Sequence, residues 1–337
     1  MYSFLNDYNE IAHPAVMQVL NDLSGKRFKG YGTDEICRRV ADKIRLRIGQ
    51  PNAEIHFFNG GTITNLTTIS HVLRPHQAVI TVDSGHIAVH ETGAIEATGH
   101  KVITVDSLSG KLAPEHIIKV LSEHTVQPKL VYISNSTEIG TVYRKEELVA
   151  LREVCDAHNL LLFMDGARLS SGLMSKYSDL TIEDVAQLTD IFYIGGTKIG
   201  ALTGEILVIV NPALQSDFRF SIKQKGGLQA KGWLLAAQFE PLFNNDLYFK
   251  LGRHLNEMAS QLASFFAEKG FQFLAPVESN QVFVIFPDAL ANELLGHYQL
   301  SQICKPTPET TCIRFCTSWS TTQQDVDKLK QTFQALL

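Results

Sequence analysis

Apolar residues along the first two thirds of the chain gather in short runs separated by longer amphipathic segments. Seven runs predict buried strands, at residues 54–58, 78–82, 101–105, 130–134, 160–165, 191–195 and 206–210. Residues 146–159, between the fourth and fifth runs, have apolar positions at helical spacing. Strands that alternate with helices predict an α/β fold with a mostly parallel sheet covered on both faces. The last two runs are joined only by a glycine-rich segment, which favours antiparallel pairing.

The pattern changes after about residue 243. Residues 244–270 predict one long amphipathic helix that ends at Gly270. The short apolar stretches "FQFLAP", "NQVFVIFP" and "CIRFCTSW" follow, and a final helix begins at Thr322. The sequence therefore predicts two domains: a large α/β domain over residues 1–243, which includes the N-terminal segment, and a smaller α+β domain over residues 244–337.

Composition and charge narrow the class of protein. The 337 residues carry a formal net charge of −5, which argues against a nucleic-acid-binding protein. No apolar run approaches the length of a membrane span, and "MYSFLNDYNE" lacks the regions of a signal peptide. The five cysteines include no C-x-x-C pair, so we expect a reducing, cytoplasmic environment and no disulfide framework.

Polar and glycine residues follow the first predicted strand, in "NGGTITN" at residues 59–65. Ligands of parallel sheets bind at the carboxyl ends of the strands. Gly60 and Gly61 allow close approach of the backbone, and Thr62 opens a helix whose N–H groups suit a phosphate. A plain turn with a threonine cap is the alternative. The segment is not a P-loop, because no Gly-Lys-Ser/Thr follows.

Two further motifs carry charged residues. In "MDGARL", Asp165 ends a buried run and Arg168 lies one helical turn later; a helix cap with a surface arginine is the alternative. In "FYIGGTKIGALTGE", Lys198 lies between two core runs, and an exposed loop is the alternative. Because a buried lysine cation is costly, a partly desolvated lysine indicates an amine that acts as a nucleophile.

These three features together predict a site for pyridoxal phosphate. The lysine amine forms an imine with the aldehyde of the cofactor, the aspartate keeps the pyridine nitrogen protonated, and the helix end anchors the phosphate. Each feature has a separate structural alternative. Their occurrence together, in this order, favours the cofactor site.

A metal site is the main alternative chemistry. His86 and His90 are four residues apart and fit one helical face, but Glu91 is the only adjacent acid and no third ligand is evident. A histidine that stacks on a ring or lies in the core is therefore favoured. Farther along the chain, Arg314 alternates with Cys312 and Cys316 in "CIRFCTSW", so it can offer a planar fork to a carboxylate. A solvated arginine on an edge strand is the alternative there.

On these motifs the sequence resembles the threonine aldolase family of fold-type-I pyridoxal-phosphate enzymes, which also includes the β-eliminating lyases. The resemblance extends nearly end to end, over "FLNDY", "KGYGTDE", "NGGTITN", "SGHIAVHETGA", "TEIGTVY", "MDGARLSSGL", "GGTKIGALTGE", "GGLQAKGWLLAAQ", "ESNQVFV" and "IRFCTSW". It implies cleavage of L-threonine or L-allo-threonine to glycine and an aldehyde. Another reaction on the same cofactor, β-elimination or racemisation, and a non-catalytic relic of the fold remain as alternatives.

The resemblance also implies roles for individual residues. Lys198 is similar to the lysine that binds the cofactor, Asp165 to the partner of the pyridine nitrogen, and His86 to the imidazole that stacks on the ring. Gly61 and Thr62 resemble the phosphate site. Arg168, close to the cofactor, and Arg314 resemble the ligands of the substrate carboxylate.

Three positions differ from many members of that family. The chain has Leu-Asn-Asp where many have Arg-Ser-Asp, and Asn6 remains able to donate to a carboxylate. It has Glu138 where many have histidine, so His86 and Glu138 are both candidates for the catalytic base. It has Gln229 where many have a phosphate-binding arginine. The lysines that would replace this charge are Lys223, Lys225 and Lys231.

The resemblance finally implies a homo-oligomer, a dimer or a tetramer, with active sites at the subunit interface. Tyr31, in "KGYGTDE", and the lysine-rich residues 223–231 resemble segments that reach a neighbouring site, and Tyr31 is expected to contact substrate. The expected partner is a small amino-acid substrate, not a nucleic acid or a membrane.

Overall fold

The computed structural model describes residues 2–123 and 125–337 and contains two β-sheets. The larger sheet is formed by β1 (Glu54–Phe58), β2 (Gln77–Val82), β3 (Lys101–Val105), β4 (Gln127–Ser134), β5 (Leu161–Asp165), β6 (Ile191–Gly195) and β7 (Glu205–Ile209). The smaller sheet is formed by β8 (Gln272–Phe273), β9 (Gln281–Pro287), β10 (Ser301–Thr307) and β11 (Thr310–Cys316). All seven predicted strands of the larger sheet are confirmed, with β4 three residues longer than expected.

The topology of the larger sheet explains why one of its edges collects functional groups. The strand order is β1-β7-β6-β5-β4-β2-β3. The pairs from β3 through β6 are parallel, and β7 is antiparallel to β6 and to β1. The expected antiparallel pairing across the glycine-rich segment is therefore confirmed. Because β1 has the same direction as β6, the carboxyl ends of β1 to β6 meet at one edge.

Helices cover both faces of the larger sheet. Before β6 they are α1 (Pro14–Asp22), α2 (Glu35–Ile48), α3 (Gly61–Val72), α4 (His86–Val89), α5 (Pro114–Glu123), α6 (Lys145–Ala157), α7 (Leu169–Leu173) and α8 (Ile182–Leu188). After β7 they are α9 (Phe218–Gln224), α10 (Trp233–Leu242) and the first half of α11 (Leu247–Glu268). The helices α12 (Asp288–His297) and α13 (Gln323–Leu336) pack in the core of the smaller sheet instead. Thr322 is the N-cap residue of α13 and forms a capping box with Asp325. The predicted start of the final helix is therefore confirmed.

The core lies on both faces of the larger sheet, as predicted for a parallel sheet. Alternate residues of β4 point to opposite faces, so Val131 and Ile133 join one apolar cluster while Leu130 and Tyr132 join another. The strands β2, β5, β6 and β7 are buried along their whole length. Burial on both faces explains why these strands appear in the sequence as continuous apolar runs rather than as alternating ones.

The smaller sheet is antiparallel in the order β10-β11-β9-β8. Ile313 and Phe315 of β11 point into a separate apolar cluster, and Arg314 lies on the other face, as the alternation predicted. The alternative that Arg314 lies on an edge strand is wrong, because β10 pairs with β11 and forms the edge. The sequence did not predict β10, whose residues are mostly exposed and therefore have no apolar alternation.

Two segments connect the two apolar cores. Leu251 and Leu255 of α11 belong to the core of the larger sheet, whereas Met258 and Leu262 belong to the core of the smaller one. Phe4, in the segment that precedes α1, packs in the smaller core. The domain boundary after residue 243 stays a prediction. No helix in the described part of the chain is long and apolar enough to cross a membrane.

Candidate active site

The carboxyl edge of the larger sheet brings together the residues that the sequence singled out. Gly61 begins α3 directly after β1, and His86 begins α4 after β2. Glu138 follows β4, Asp165 is the last residue of β5, and Lys198 lies three residues beyond β6. Five separate segments thus meet at one edge because their strands run in the same direction.

Asp165 is held by a set of buried donors. Its side chain is buried, and its Oδ1 accepts a hydrogen bond from the Ala167 backbone N–H at 2.9 Å. Its Oδ2 accepts hydrogen bonds from the hydroxyl of Tyr132 and, at 3.3 Å, from Nδ2 of Asn65. Burial, together with the charge of this carboxyl group, raises the pKa of the nearby Tyr193 phenol. These contacts fix the orientation of the carboxylate at the base of the site.

His86 and Asp165 are connected through two residues that the sequence reasoning did not select. Nδ1 of His86 lies 2.7 Å from Oε1 of Glu91, and Nδ2 of Asn65 donates to the same oxygen at 2.7 Å. Asn65 therefore bridges Glu91 and Asp165, and both Asn65 and Glu91 are buried. The sequence showed Glu91 only as an acid beside His86 and His90, and Asn65 only as part of the phosphate motif, because their contact joins residues 26 positions apart.

The surroundings of His86 favour its protonated form. Burial alone would lower the pKa of His86, but its hydrogen bond to Glu91 and the nearby carboxylates of Asp165 and Glu138 outweigh that effect and raise the pKa. Burial lowers the pKa of the neighbouring His90, whose ring centroid lies 5.5 Å from that of His86. Within residues 2–123 and 125–337, no group of three metal-ligating side chains is present.

The N-terminus of α3 lacks a side-chain cap. Gly60 is the N-cap residue, so the alternative of a threonine cap is wrong, and Thr62 is exposed in the first turn. A side chain at Gly61 would bring its Cβ to 3.1 Å from the hydroxyl of Tyr193, which indicates a close approach there. Because no side chain takes up the first N–H groups of this twelve-residue helix, they suit an anion such as a phosphate.

Lys198 lies in a tightly packed turn. A Cβ at Gly195 would lie 2.4 Å from the carbonyl oxygen of Ala167, and one at Gly196 would lie 2.6 Å from that of Gly204. Only glycine allows these contacts, so the turn is pressed against the segment that follows Asp165. Lys198 is half-buried, which excludes the alternative of a fully exposed loop. Its Nζ lies 6.0 Å from the ring centroid of Tyr8.

Arg168 is buried in an ion pair. Its Nε donates to Oδ2 of Asp7 at 2.7 Å and its Nη2 donates to Oδ1 at 3.1 Å. Asn280 also donates to Oδ2 of Asp7, at 2.9 Å. Burial by itself would raise the pKa of Asp7, but the charges of Arg168 and Lys198 lower it well below its usual range. The alternative of a surface arginine is therefore wrong, and only Nη1 of Arg168 is left outside the pair.

Arg314 has neutral partners instead. Its Nη2 donates to the carbonyl oxygen of Leu5 at 3.0 Å and to Oγ of Ser301 at 3.3 Å, and its Nη1 donates to Oε1 of Gln281 at 3.2 Å. Its Nε is buried without a hydrogen-bond partner. In the described part of the chain, no acidic oxygen lies within 4.0 Å of this half-buried guanidinium. Its charge is thus available to a carboxylate ligand.

Glu138 lies beside Nη1 of Arg168, the nitrogen that is not bonded to Asp7. Its Oε2 lies 3.7 Å from Nη1 of Arg168, and its side chain is largely buried. No described backbone N–H donates to its carboxylate, so the alternative of a purely structural hydrogen bond to a turn has no support. Asn6 immediately precedes Asp7, the partner of Arg168, in the N-terminal segment. Its Oδ1 accepts from the Tyr8 N–H at 3.0 Å, which leaves its amide N–H groups as donors.

Tyr31 does not contact the Lys198 turn within one chain. It lines a separate cavity of about 360 Å³ together with Asp34, Arg219 and Gln229. The Nη2 of Arg219 donates to the Tyr31 carbonyl oxygen at 2.7 Å, and Nζ of Lys223 lies 4.7 Å from the Tyr31 ring centroid. The expected roles of Tyr31 and of the lysines at 223, 225 and 231 therefore stay predictions that require a second chain.

Comparisons with known proteins agree with this geometry. The sequence model described as beta-eliminating lyase matches residues 25–289. A low specificity L-threonine aldolase of a Pseudomonas species is 31% identical over 323 residues, which cover 92% of this chain and 90% of that protein. The structure of Leishmania major threonine aldolase is 44% identical with a TM-score of 0.98, and the match covers 100% and 99% of the two chains. A Thermus thermophilus aspartate aminotransferase mutant, 16% identical with a TM-score of 0.74 over 98% and 89% of the chains, shares the fold.

Proposed function

The chain belongs to the β-eliminating lyase family, and on this premise we propose that it cleaves L-threonine and L-allo-threonine to glycine and acetaldehyde. The observation that carries the proposal is the meeting of Lys198, Asp165 and the uncapped start of α3 at one sheet edge. This donor set fits pyridoxal 5′-phosphate, the cofactor of the family. When bound, the cofactor supplies an aldehyde for an amine and a ring that accepts an electron pair.

The residues that would hold the cofactor follow from the chemistry of each group. The N–H groups of Gly61 and Thr62 would bind the phosphate, because they begin a helix and have no side-chain cap. The carboxylate of Asp165 would hold the ring nitrogen protonated, and the amine of Lys198 would bind the aldehyde carbon. His86 would pack on the ring, since Glu91 and Asn65 fix its orientation from behind.

The substrate carboxylate is assigned mainly to Arg314. Its guanidinium has no acidic partner among the described residues, whereas Asp7 already takes up two donors of Arg168. Nη1 of Arg168 and the amide of Asn6 would complete the carboxylate site. Orientation of this group sets which bond at Cα stands perpendicular to the ring, and so which bond breaks.

Glu138 is proposed to accept the proton of the substrate β-hydroxyl, directly or through water. The support is its position among Arg168, His86 and His90, without a structural hydrogen bond of its own. His86 is the rival base. Its hydrogen bond to Glu91 places one proton on Nδ1, because a carboxylate oxygen only accepts, so Nε2 is the atom that would exchange a proton.

The direct experiment incubates the purified protein, loaded with cofactor, with each of the two substrates and measures glycine and acetaldehyde. We expect both products in equal amounts. Lys198→Ala is the control and should abolish their formation. Formation of 2-oxobutanoate and ammonia would instead identify β-elimination. Inversion at Cα, which converts L-threonine to D-allo-threonine and L-allo-threonine to D-threonine, would identify racemisation. Absence of any reaction with bound cofactor would contradict the proposal.

The assembly and location of the protein are also proposed. A homo-oligomer, either a dimer or a tetramer, is favoured because Tyr31 and residues 223–231 resemble segments that reach a neighbouring site. Tyr31 and Gln229 line a cavity to which the Lys198 turn contributes no residue. Light scattering of the active protein measures its mass, and a fully active monomer would contradict this assembly. A cytoplasmic location is proposed because all five cysteines are free.

A further inference from the structure

Glu205 is a buried carboxyl group that the proposed reaction does not use. It begins β7, opposite Gly195 of β6 and Phe58 of β1, and only 4% of its surface is exposed. Among the described residues, no lysine, arginine or histidine nitrogen lies within 4.0 Å of its oxygens. A carboxyl group buried without a cation partner is unfavourable for folding, so its presence needs an explanation.

The hydrogen bonds of Glu205 lead to the turn that carries Lys198. Its Oε2 accepts from the Gly196 N–H at 2.8 Å, and its Oε1 accepts from the Thr197 hydroxyl at 2.9 Å. The Gly204 N–H donates to the same hydroxyl at 3.0 Å. Both residues bonded by the carboxyl group immediately precede Lys198. The group therefore fixes the backbone from which the lysine side chain projects.

The charges around Glu205 make it sensitive to pH. Burial raises the pKa of Glu205 to about 7, while the hydrogen bonds from Gly196 and Thr197 and the charge of Lys198 act in the opposite direction. The charge of Asp165 raises the pKa of Glu205 further. The charge of Glu205 in turn contributes to the raised pKa of the phenols of Tyr193 and Tyr248. Lys198 is the cation in this set, and its charge stabilises the ionised form of Glu205.

We propose that Glu205 is a positioning residue, whose bonds to Gly196 and Thr197 orient Lys198 and whose negative charge favours the protonated form of the Lys198 nitrogen when that nitrogen holds the cofactor. This inference rests on the proposed function only through the binding of pyridoxal phosphate to Lys198. The site then has two states, which differ in the protonation of Glu205. When Glu205 is ionised, the cation on the lysine nitrogen is stabilised; when Glu205 takes up a proton, this stabilisation is lost.

The test is a pH titration of the visible absorption of the cofactor-loaded enzyme, without substrate. Glu205→Gln removes the charge and keeps the size, and its amide can still accept from Gly196 and donate to the Thr197 hydroxyl. We expect the midpoint of the titration to fall by about one pH unit. That is the size expected for loss of a unit charge roughly 10 Å from the titrating group at an effective dielectric constant of about 20.

Asp190→Asn is the matched control. Asp190 immediately precedes β6, at the end of the strand opposite Lys198, and its Oδ2 accepts from the Leu162 N–H and from Arg152, both at 2.8 Å. The change also removes a partly buried negative charge that organises a loop. We expect it to lower the thermal stability and to leave the midpoint of the absorption titration unchanged.

Glu205→Asp decides the outcome if the glutamine variant does not hold the cofactor. It keeps the charge, but its shorter side chain cannot make both bonds to the turn. We expect a midpoint close to that of the unchanged enzyme and a lower kcat. An unchanged midpoint in Glu205→Gln, or a fall in Glu205→Asp as large as one pH unit, would overturn the inference. Since no substrate is present in the titration, a wrong reaction assignment would not affect the result.

Discussion

Arg168 and Arg314 carry the same charge and the same predicted role, but their surroundings differ. Arg168 is buried, and Asp7 takes up its Nε and Nη2. Arg314 is half-buried and donates only to neutral oxygens of Leu5, Ser301 and Gln281. The charge of Arg168 is thus balanced by Asp7, whereas the charge of Arg314 is available to a ligand.

The comparison separates an arginine that stabilises the fold from an arginine that can bind a ligand. A buried ion pair that loses one partner leaves an uncompensated charge in the interior, so the pair matters chiefly for folding. Removing a guanidinium that has neutral partners costs the protein little stability. When it is present, such a guanidinium binds an incoming carboxylate through two charge-assisted hydrogen bonds. Three experiments test this division, from the largest expected effect to the smallest.

Removing the partner of the buried arginine should have the largest effect. We expect Asp7→Ala to lower the free energy of unfolding by about 3–5 kcal/mol, because Arg168 stays buried after losing both of its hydrogen bonds to Asp7. Urea denaturation at neutral pH measures the loss. Ser301→Ala, which removes a neutral partner of Arg314, is the matched control and should cost about 1 kcal/mol or less. Equal losses in the two variants would show that the two arginines do not differ in this way.

The same pair should depend on pH in a definite direction. Because the folded pKa of Asp7 is depressed, its contribution to stability is complete above the unfolded value of about 3.9 and is lost as the pH falls through the folded value. The difference between the unchanged protein and Asp7→Ala should therefore shrink in acid below about pH 4. A difference that stays constant well below about pH 4 would contradict the ion pair as its source.

The second test concerns Glu138, which lies beside Nη1 of Arg168. Glu138 lies 3.7 Å from Nη1, where the ion pair with Asp7 leaves the guanidinium open. We expect Glu138→Gln to lower kcat by about 10²-fold, the low end for loss of a general base, with the cofactor still bound. Steady-state kinetics and the visible absorption measure both. His86→Gln is the comparison, because a loss confined to that variant would assign the base to His86.

Removal of the unpaired arginine should affect substrate binding alone. We expect Arg314→Ala to weaken binding by roughly 1.5–3 kcal/mol, a rise in KM of about tenfold to a hundredfold, with normal binding of the cofactor. Arg314→Lys keeps the charge without the planar fork and should give an intermediate KM. Unchanged kinetics in Arg314→Ala would leave the substrate carboxylate to Arg168.

The larger sheet was predictable because its strands are buried on both faces and therefore appear as long apolar runs. The strand β10 was not, since its residues are mostly exposed and the pairing with β11 rests on backbone hydrogen bonds. The same omission hid the true surroundings of Arg314. Without β10 on one side, that arginine looked like a residue of an edge strand, whereas Ser301 of β10 is one of its partners.

The site was predictable where one residue type at a strand end implies one chemistry, as for Asp165 and Lys198. It was not predictable where the role depends on a partner far away in the chain. The pairing of Arg168 with Asp7 spans 161 residues, and the bridge from Asn65 to Asp165 spans 100. Such contacts are set by the packing of the whole fold, and no local spacing reports them.

The segment before α1 has a consequence for the order in which the protein matures on the ribosome. Asp7 is bonded to Asn280, 273 residues later, and the carbonyl oxygen of Leu5 is bonded to Arg314, 309 residues later. Closing loops of this length is slow, and it cannot begin before the later residues are synthesised. The contacts of residues 5 and 7 with Arg314 and Asn280 therefore form late in synthesis, and the candidate active site is completed after most of the chain around it has been made.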